Sequence, residues 1–325
     1  MSKVIGIDIS KQTFDVCIRK GKKLIQLIFE NNPKGFKKFL KTMDLDTDFV
    51  VMEASGPYYV RLASFLFESK VVVSVVNPLI IKRFSQMKFY RSKTDKKDAS
   101  IIMEYGETEF SNLRVWQPES KEVHQLKQLH SSIELFRKQI SQSKNQLEAF
   151  NSSGLLDITV KKCLKKSINQ LIKKVELLES VMLEICEAHY LESLSLLTSI
   201  PSIGNKTAIQ LIAITDNFRK FEHYKQLIAY VGFSPRTYQS GTSVRGKDHI
   251  CKMGSSQIRK LLDMCTWTAK KCNKGCVNMY ERLKEKGKPE RVIKVALANK
   301  LLKQAFAIAT SKQKYNENYQ LNVCF

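Results

Sequence analysis

The sequence is short of acid: 31 Asp and Glu stand against 54 Lys and Arg in 325 residues, a formal net charge of +23. It has no apolar run approaching the ~20 residues that span a bilayer, which excludes a membrane-embedded helix. The N-terminus runs directly into Val4-Ile5-Gly6-Ile7-Asp8 without a charged n-region, apolar h-region or cleavage site, so no secretory leader is expected. The eight cysteines form no paired framework, and several fall in apolar helical stretches where a thiol acts as a small hydrophobe. A reduced, cytoplasmic protein is expected. Histidine is scarce, with five in all, and none has a clear nucleophilic partner in the sequence. Cys272 and Cys276 have no histidine within ten residues on either side, so a zinc site is not expected there.

What is present in excess is cation. Lysines and arginines near phosphates release condensed counterions, so this balance points to a polyanionic partner, nucleic acid first. The length suits two or three domains, and 43% hydrophobic and 9% aromatic residues are ordinary for a globular chain.

Up to about residue 110, strand and helix signals alternate. Val4 to Ile9, Thr13 to Arg19 and Lys23 to Glu30 read as three strands that pair as a meander, with Gly21 at a hairpin turn. Apolar strands ending at Glu53 and Val76 then alternate with helices beginning near Pro33, Pro57 and Pro78. That order predicts a mixed sheet covered by helices, as in an RNase H-like domain. From 119 to 190 the pattern changes. Leu126, Ile133, Ile140 and Leu147 repeat every seven residues, and after Asn151-Ser152-Ser153-Gly154 a second series follows in Leu164, Leu171, Leu178 and Ile185. This predicts a coiled-coil helical hairpin that pairs with another protomer; a bundle closed within one chain is the alternative. Lys161, Lys162, Lys165, Lys166, Lys173 and Lys174 make its second arm basic. A mostly helical domain follows, interrupted by an irregular glycine-punctuated stretch from Val231 to Gly254.

Four acids stand out. Asp8 and Glu53 lie at the ends of apolar strands, and Asp95 and Asp98 are spaced i,i+3 so that one helix face presents both. Hard oxygen ligands without histidine suit magnesium or manganese, which accept phosphate oxygens and support in-line displacement at phosphorus. The bland reading is strand-end carboxylates and lysine-paired surface acids; Asp15, Asp46 and Asp48 are left as surface acids. A second signal, Ile200-Pro-Ser-Ile-Gly204 before a new helix, resembles a helix-hairpin-helix whose backbone N–H groups and Lys206 would receive a phosphate, unless the turn only connects helices. The third is the polar stretch Gly232 to Lys247 with Lys252 beyond it, carrying Arg236, Arg245, Lys247 and Lys252 around Ser234, Ser240 and Ser243. It reads either as a DNA-contacting loop or as a cation-flanked serine nucleophile, and composition does not choose among the serines.

With these residues together, the chain resembles the DEDD-type insertion-sequence transposases of the family numbered 110, including its 1111 subgroup. The resemblance is carried over nearly the whole length by Gly6-Ile-Asp-Ile-Ser-Lys11, Met52-Glu-Ala-Ser-Gly56, Asn77-Pro78, Lys93-Thr-Asp-Lys-Lys-Asp-Ala99, Ala229-Tyr-Val-Gly-Phe-Ser-Pro-Arg236 and Gln239-Ser-Gly241. It implies a RuvC-like RNase H-fold domain over 1–112 carrying Asp8, Glu53, Asp95 and Asp98 as a metal tetrad. It also implies a coiled-coil hairpin over 113–192 and a mostly α transposase domain over 193–325. On residue matching, the family's serine nucleophile falls on Ser240. Family members usually have a second glycine next, where Thr242 stands here, with Ser243 close by. The implied reaction is cutting and rejoining of element ends and target DNA through a covalent serine–DNA intermediate, with a structured guide RNA and a multimeric complex as implied partners. The competing readings are a metal-dependent junction resolvase or nuclease that uses water, and a non-enzymatic basic DNA- or RNA-binding protein.

Overall fold

The computed structural model describes residues 3–90, 95–240, 244–246 and 249–318, with only the backbone described at Asp95, Lys96, Ser240, Val244 and Arg245. Ser243, Lys247 and Cys324 lie outside the described residues. The chain divides into two compact units, Met1–Pro118 and Glu119–Phe325.

The first unit is mixed α/β. Its elements are β1 (Lys3–Ile9), β2 (Thr13–Lys20), β3 (Lys23–Glu30), α1 (Pro33–Leu40), β4 (Asp48–Glu53), α2 (Tyr59–Glu68), β5 (Val72–Val76), α3 (Pro78–Met87) and α4 (Asp95–Thr108). The sheet order is β3-β2-β1-β4-β5, with β1 antiparallel to β2 and parallel to β4. Period-two alternation sends Ile5, Ile7, Ile9, Phe14, Val16 and Ile18 to one face, where they pack with Phe36 and Phe39 of α1 and Leu62 and Leu66 of α2. Val4, Cys17 and Val51 face the other way, onto α3 and α4. Asn32 and Asn77 are each followed by proline and cap their helices by accepting from Gly35 N and Leu79 N, both at 2.9 Å.

Helix α4 lies against the sheet at backbone contact. A Cβ on Gly6 would stand 2.3 Å from both the Ala99 carbonyl oxygen and the Met103 nitrogen, and one on Gly106 would stand 2.7 Å from Val4 Cγ1 and Val51 Cγ2. No side chain larger than hydrogen fits either place. Asp48, expected at the surface, is 4% exposed: its carboxylate accepts from Asp44 N at 2.9 Å and meets Lys3 Nζ at 3.6 Å, closing the turn into β4.

The second unit is mostly helical. Its main members are α5 (Lys121–Ser152), α6 (Ile158–His189), α7 (Leu191–Thr198), α8 (Asn205–Thr215) and α9 (Tyr224–Val231), then α10 (Ser256–Cys272), α11 (Lys274–Glu285) and α12 (Glu290–Ser311). Helices α5 and α6 form a hairpin across a five-residue connection. Its base is not a free seam: Leu126, Ile133, Val175, Met182 and Cys186 belong to the same core as Leu197, Ile212, Leu262 and Leu301. Buried His130 pins α5 there, with Nδ1 2.8 Å from Gln210 Nε2 and Nε2 3.1 Å from Gln257 Oε1. At the tip Phe150, Leu155 and Ile158 are exposed, while Leu147 and Leu164 of the heptad series are half-buried. The stretch expected to be irregular contains two short ladders, β6 (Pro235–Arg236) with β9 (His249–Ile250) and β7 (Gln239–Ser240) with β8 (Val244–Arg245).

The seat of α4 gives a direct test. Gly6→Ala should destabilise the first unit by about 3 kcal/mol or more, because the added methyl meets backbone rather than a movable side chain. Urea unfolding followed by far-UV circular dichroism checks it; a midpoint equal to wild type would contradict the contact.

Candidate functional site

The register of the sheet gathers acids at one end. The parallel ladder of β1 and β4 pairs Ile7 with Met52, and Asp8 and Glu53 each follow by one residue. Alternation puts both on the face that carries Val4 and Val51, the face covered by α4. Because Gly6 meets Ala99 and Met103 whereas Gly106 meets Val4, α4 runs in the opposite direction to β1. From Gly6 to Asp8 the strand advances about 6.6 Å, the length of about four helical residues. That carries the chain from beneath Ala99–Met103 to beneath the first turn of α4, where Asp95 and Asp98 stand. Asp8, Glu53 and Asp98 are each half-buried. The described side chains include no ready-gathered group of three His, Cys, Asp or Glu, and the side chain of Asp95 falls outside that comparison.

The strand ends are tied off just beyond the acids. Ser55 Oγ donates to the Ile9 carbonyl at 3.2 Å, and Ala54 N donates to Val76 O at 2.9 Å. Asn31 Nδ2 donates to Ser10 O at 2.9 Å. On the outer side of α4, Tyr90 Oη donates to Glu104 Oε2 at 2.7 Å and Lys88 Nζ lies 3.0 Å from Oε1. Burial pushes the Glu104 carboxyl up, but the bonds from Tyr90 and Lys88 outweigh it and hold the group below the usual carboxylate range. Arg19 forks onto Glu107 through Nε and Nη2 at 2.9 and 3.0 Å, joining β2 to α4. The bond to Glu107 raises the Arg19 guanidinium above its ordinary value.

One acid of this face was not singled out in the sequence. Asp15, assigned to the surface, is the direct antiparallel partner of Asp8. Directly opposed side chains share a face, so two carboxylates are set side by side, an arrangement that repels unless a cation intervenes. The i,i+7 separation of Asp8 and Asp15 carries no such signal; only the register of the hairpin reveals it.

The second unit holds the remaining residues. The turn between α7 and α8 spans Ser199 to Gly204, with Ser202 held at φ +86°. Gly204 is the N-cap of α8 and brings no side-chain acceptor to its first turn. Lys206 is largely exposed and pairs with Glu179 Oε2 at 2.7 Å. The serine stretch is pinched at its stem: Cys251 N donates to Ser234 O at 2.8 Å and Lys252 N to Gly232 O at 3.1 Å. A Cβ on Gly254, at φ +129°, would stand 2.1 Å from Tyr230 O, so the two ends close at backbone distance. From this stem, Ser240 ends β7 opposite Val244, and Arg245 pairs with Gln239. Arg236 and Lys252 are exposed, Lys252 with φ +58°. No helix among the described residues is long and apolar enough to cross a membrane.

Comparison with known proteins meets the same two regions. A DEDD family model described as "Transposase" matches residues 5–152, and one described as "Transposase IS116/IS110/IS902 family" matches residues 194–281. The pilin gene-inverting proteins of Moraxella lacunata and Moraxella bovis are each 29% identical over 326 residues, covering 98% of this chain and 99% of theirs. The transposase for insertion sequence element IS1111A of Coxiella burnetii is 23% identical over 348 residues, covering 96% of this chain and 91% of its own. The DEDD type carries an expectation of divalent-metal dependence. With both regions matched in order and relatives alike over nearly their whole length, this chain belongs to the IS110 family of transposases.

Proposed function

We propose that this chain cuts and rejoins insertion-sequence ends and target DNA, with Asp8, Glu53, Asp95 and Asp98 as a divalent-metal tetrad and Ser240 as nucleophile. The observation that carries the reading is the placement of Asp8, Glu53 and the first turn of α4 at one end of the sheet. Three antiparallel strands continued by two parallel ones, in the order β3-β2-β1-β4-β5, support an RNase H-like, RuvC-like first domain over 1–112.

The donor set fits magnesium or manganese: hard carboxylate oxygens, half-buried at Asp8, Glu53 and Asp98, with no histidine or thiolate among the four. Such an ion, when bound, supplies Lewis-acid polarisation of a phosphate and neutralises charge at the leaving oxygen. The chain's own groups do the rest. The Ser240 hydroxyl attacks phosphorus, so that an Oγ–P bond forms as a P–O bond to deoxyribose breaks. The proton ends on the released sugar hydroxyl, and an incoming sugar hydroxyl later reverses the exchange on another end without hydrolysis. Arg236, Arg245, Lys247 and Lys252 neutralise the phosphate around the loop. At Gly204 the uncapped first turn of α8 receives a backbone phosphate, and Lys206 exchanges Glu179 for it.

The open tip of the 113–192 hairpin is the surface through which copies associate, and its basic second arm suits DNA or a structured guide RNA. The 193–325 domain carries the helix-hairpin-helix and serine loop, and the protein works in the cytoplasm.

Asp8→Asn and Glu53→Gln should each lower recombination of a reporter carrying the element by about a hundredfold or more. Wild-type protein should leave a denaturant-resistant protein–DNA adduct that Ser240→Ala lacks; cutting by wild type without any adduct would replace the serine by water. Asp15→Asn removes the carboxylate beside Asp8, so the rise in melting temperature on adding Mn²⁺ to the metal-free protein should shrink. A melting temperature unchanged by the substitution in both conditions removes that cation site. Leu155→Asp with Ile158→Asp should lower the solution mass seen by light scattering, and an unchanged mass ends the hairpin-tip association.

A further inference from the structure

Helix α10 follows the serine loop and packs Ile258, Leu262, Cys265 and Ala269 inward. Its outward stripe is unusual for a solvated face. Lys260, Met264, Trp267 and Lys271 recur at i, i+4, i+7 and i+11, with Met264 67% and Trp267 50% exposed. One acid, Asp263, lies beside them. The core is filled without the indole, so folding gives no reason for a tryptophan in water at this position.

Cations surround it. Lys294 of α12 holds its Nζ 3.6 Å from the centre of the indole ring, and Lys270 Nζ lies 5.0 Å away. Lys270 is fixed by Glu290 at 3.1 Å and by the Tyr280 ring at 5.0 Å. An aromatic face covered by ammonium groups combines the two components that bind an unpaired strand: a flat surface for a base and cations for the phosphates on either side. Duplex DNA offers phosphates but keeps its base faces stacked, so it leaves Trp267 and Met264 unused.

We infer that the α10–α12 face is a binding surface for unpaired nucleotides, with a base stacking on Trp267 and Lys294 leaving the ring for the adjacent phosphate. The inference rests on the nucleic-acid chemistry proposed above and adds to it a strand-binding site built on residues other than those of the tetrad and the serine loop. Stacking on an aromatic face is tolerant of sequence and of sugar, so DNA and RNA strands share the chemistry.

The chain has two tryptophans, so full-length protein carrying Trp116→Phe reports on Trp267 alone. Its fluorescence is followed in EDTA, where no metal-dependent step runs, against oligothymidylate, oligouridylate and a duplex of equal length. Both single strands should quench saturably and the duplex should not; a preference between the strands identifies the nucleic acid the site holds. In the native background, Trp267→Ala should weaken strand binding, read by anisotropy of a labelled strand, about tenfold or more, which is about 1.4 kcal/mol. Trp267→Tyr, which keeps a ring, should restore most of it. Equal quenching by duplex, or full strand affinity in Trp267→Ala, overturns the inference. So does a fall in solution mass with strand binding intact, which would make the stripe a contact between copies. Failure of Asp8→Asn to affect recombination bears on the tetrad and leaves this titration untouched.

Discussion

The backbone of α4 lies on the sheet because two glycines give it room. At Gly6 the helix main chain occupies the space of a Cβ, and at Gly106 the strand side chains Val4 and Val51 occupy it from the other direction. A helix held this closely cannot slide or roll without losing both contacts. Its direction and its starting point over the sheet follow, and with them the end at which Asp95 and Asp98 are presented. Side-chain packing alone, which tolerates shifts and exchanges of shape, would fix that end less firmly. The Arg19–Glu107 fork is half-exposed, and an ion pair of that kind contributes little energy, so its role is to choose the register of α4 more than to hold it there.

The second unit relies on a different constraint. Among its described residues the serine stretch carries two two-residue ladders, and its two ends are closed at a stem. Gly232 and Gly254 let the ends approach at backbone distance, and Arg259 Nη1 donates to Val231 O at 2.7 Å, tying that stem to α10. The same helix continues into the exposed Trp267 stripe, while His130, Gln210 and Gln257 join it to the hairpin base and α8. The loop, the α8 turn and the outward face of α10 are thus all referred to one hydrophobic core.

Much of this was legible in the residues. Alternation in Val4–Ile9 and Thr13–Arg19, the Asn-Pro starts of two helices and the heptad series gave the elements nearly as they stand, because each is a local pattern read against water. Gly106, seated against Val4 and Val51, looks in the sequence like any glycine near the end of a helix. The pairing of Asp15 and the burial of Asp48 escape a reading of the residues for one reason. Their surroundings depend on strand register and on a turn closing over the carboxylate, and neither leaves a trace in composition. The hairpin was read as a seam throughout, whereas its base is claimed by the core of its own chain; heptad spacing records that a face is apolar, not what covers it.

The central claim is that α4, seated on glycine, completes a divalent-metal centre on the face of Asp8 and Glu53. Calorimetric titration of Mn²⁺ into the full-length protein tests it without any DNA or turnover. Binding should be present in wild type and lost in Asp8→Asn, in Glu53→Gln and, decisively, in Asp98→Asn, with the fold retained by circular dichroism. Mn²⁺ binding in Asp98→Asn indistinguishable from wild type would contradict the account.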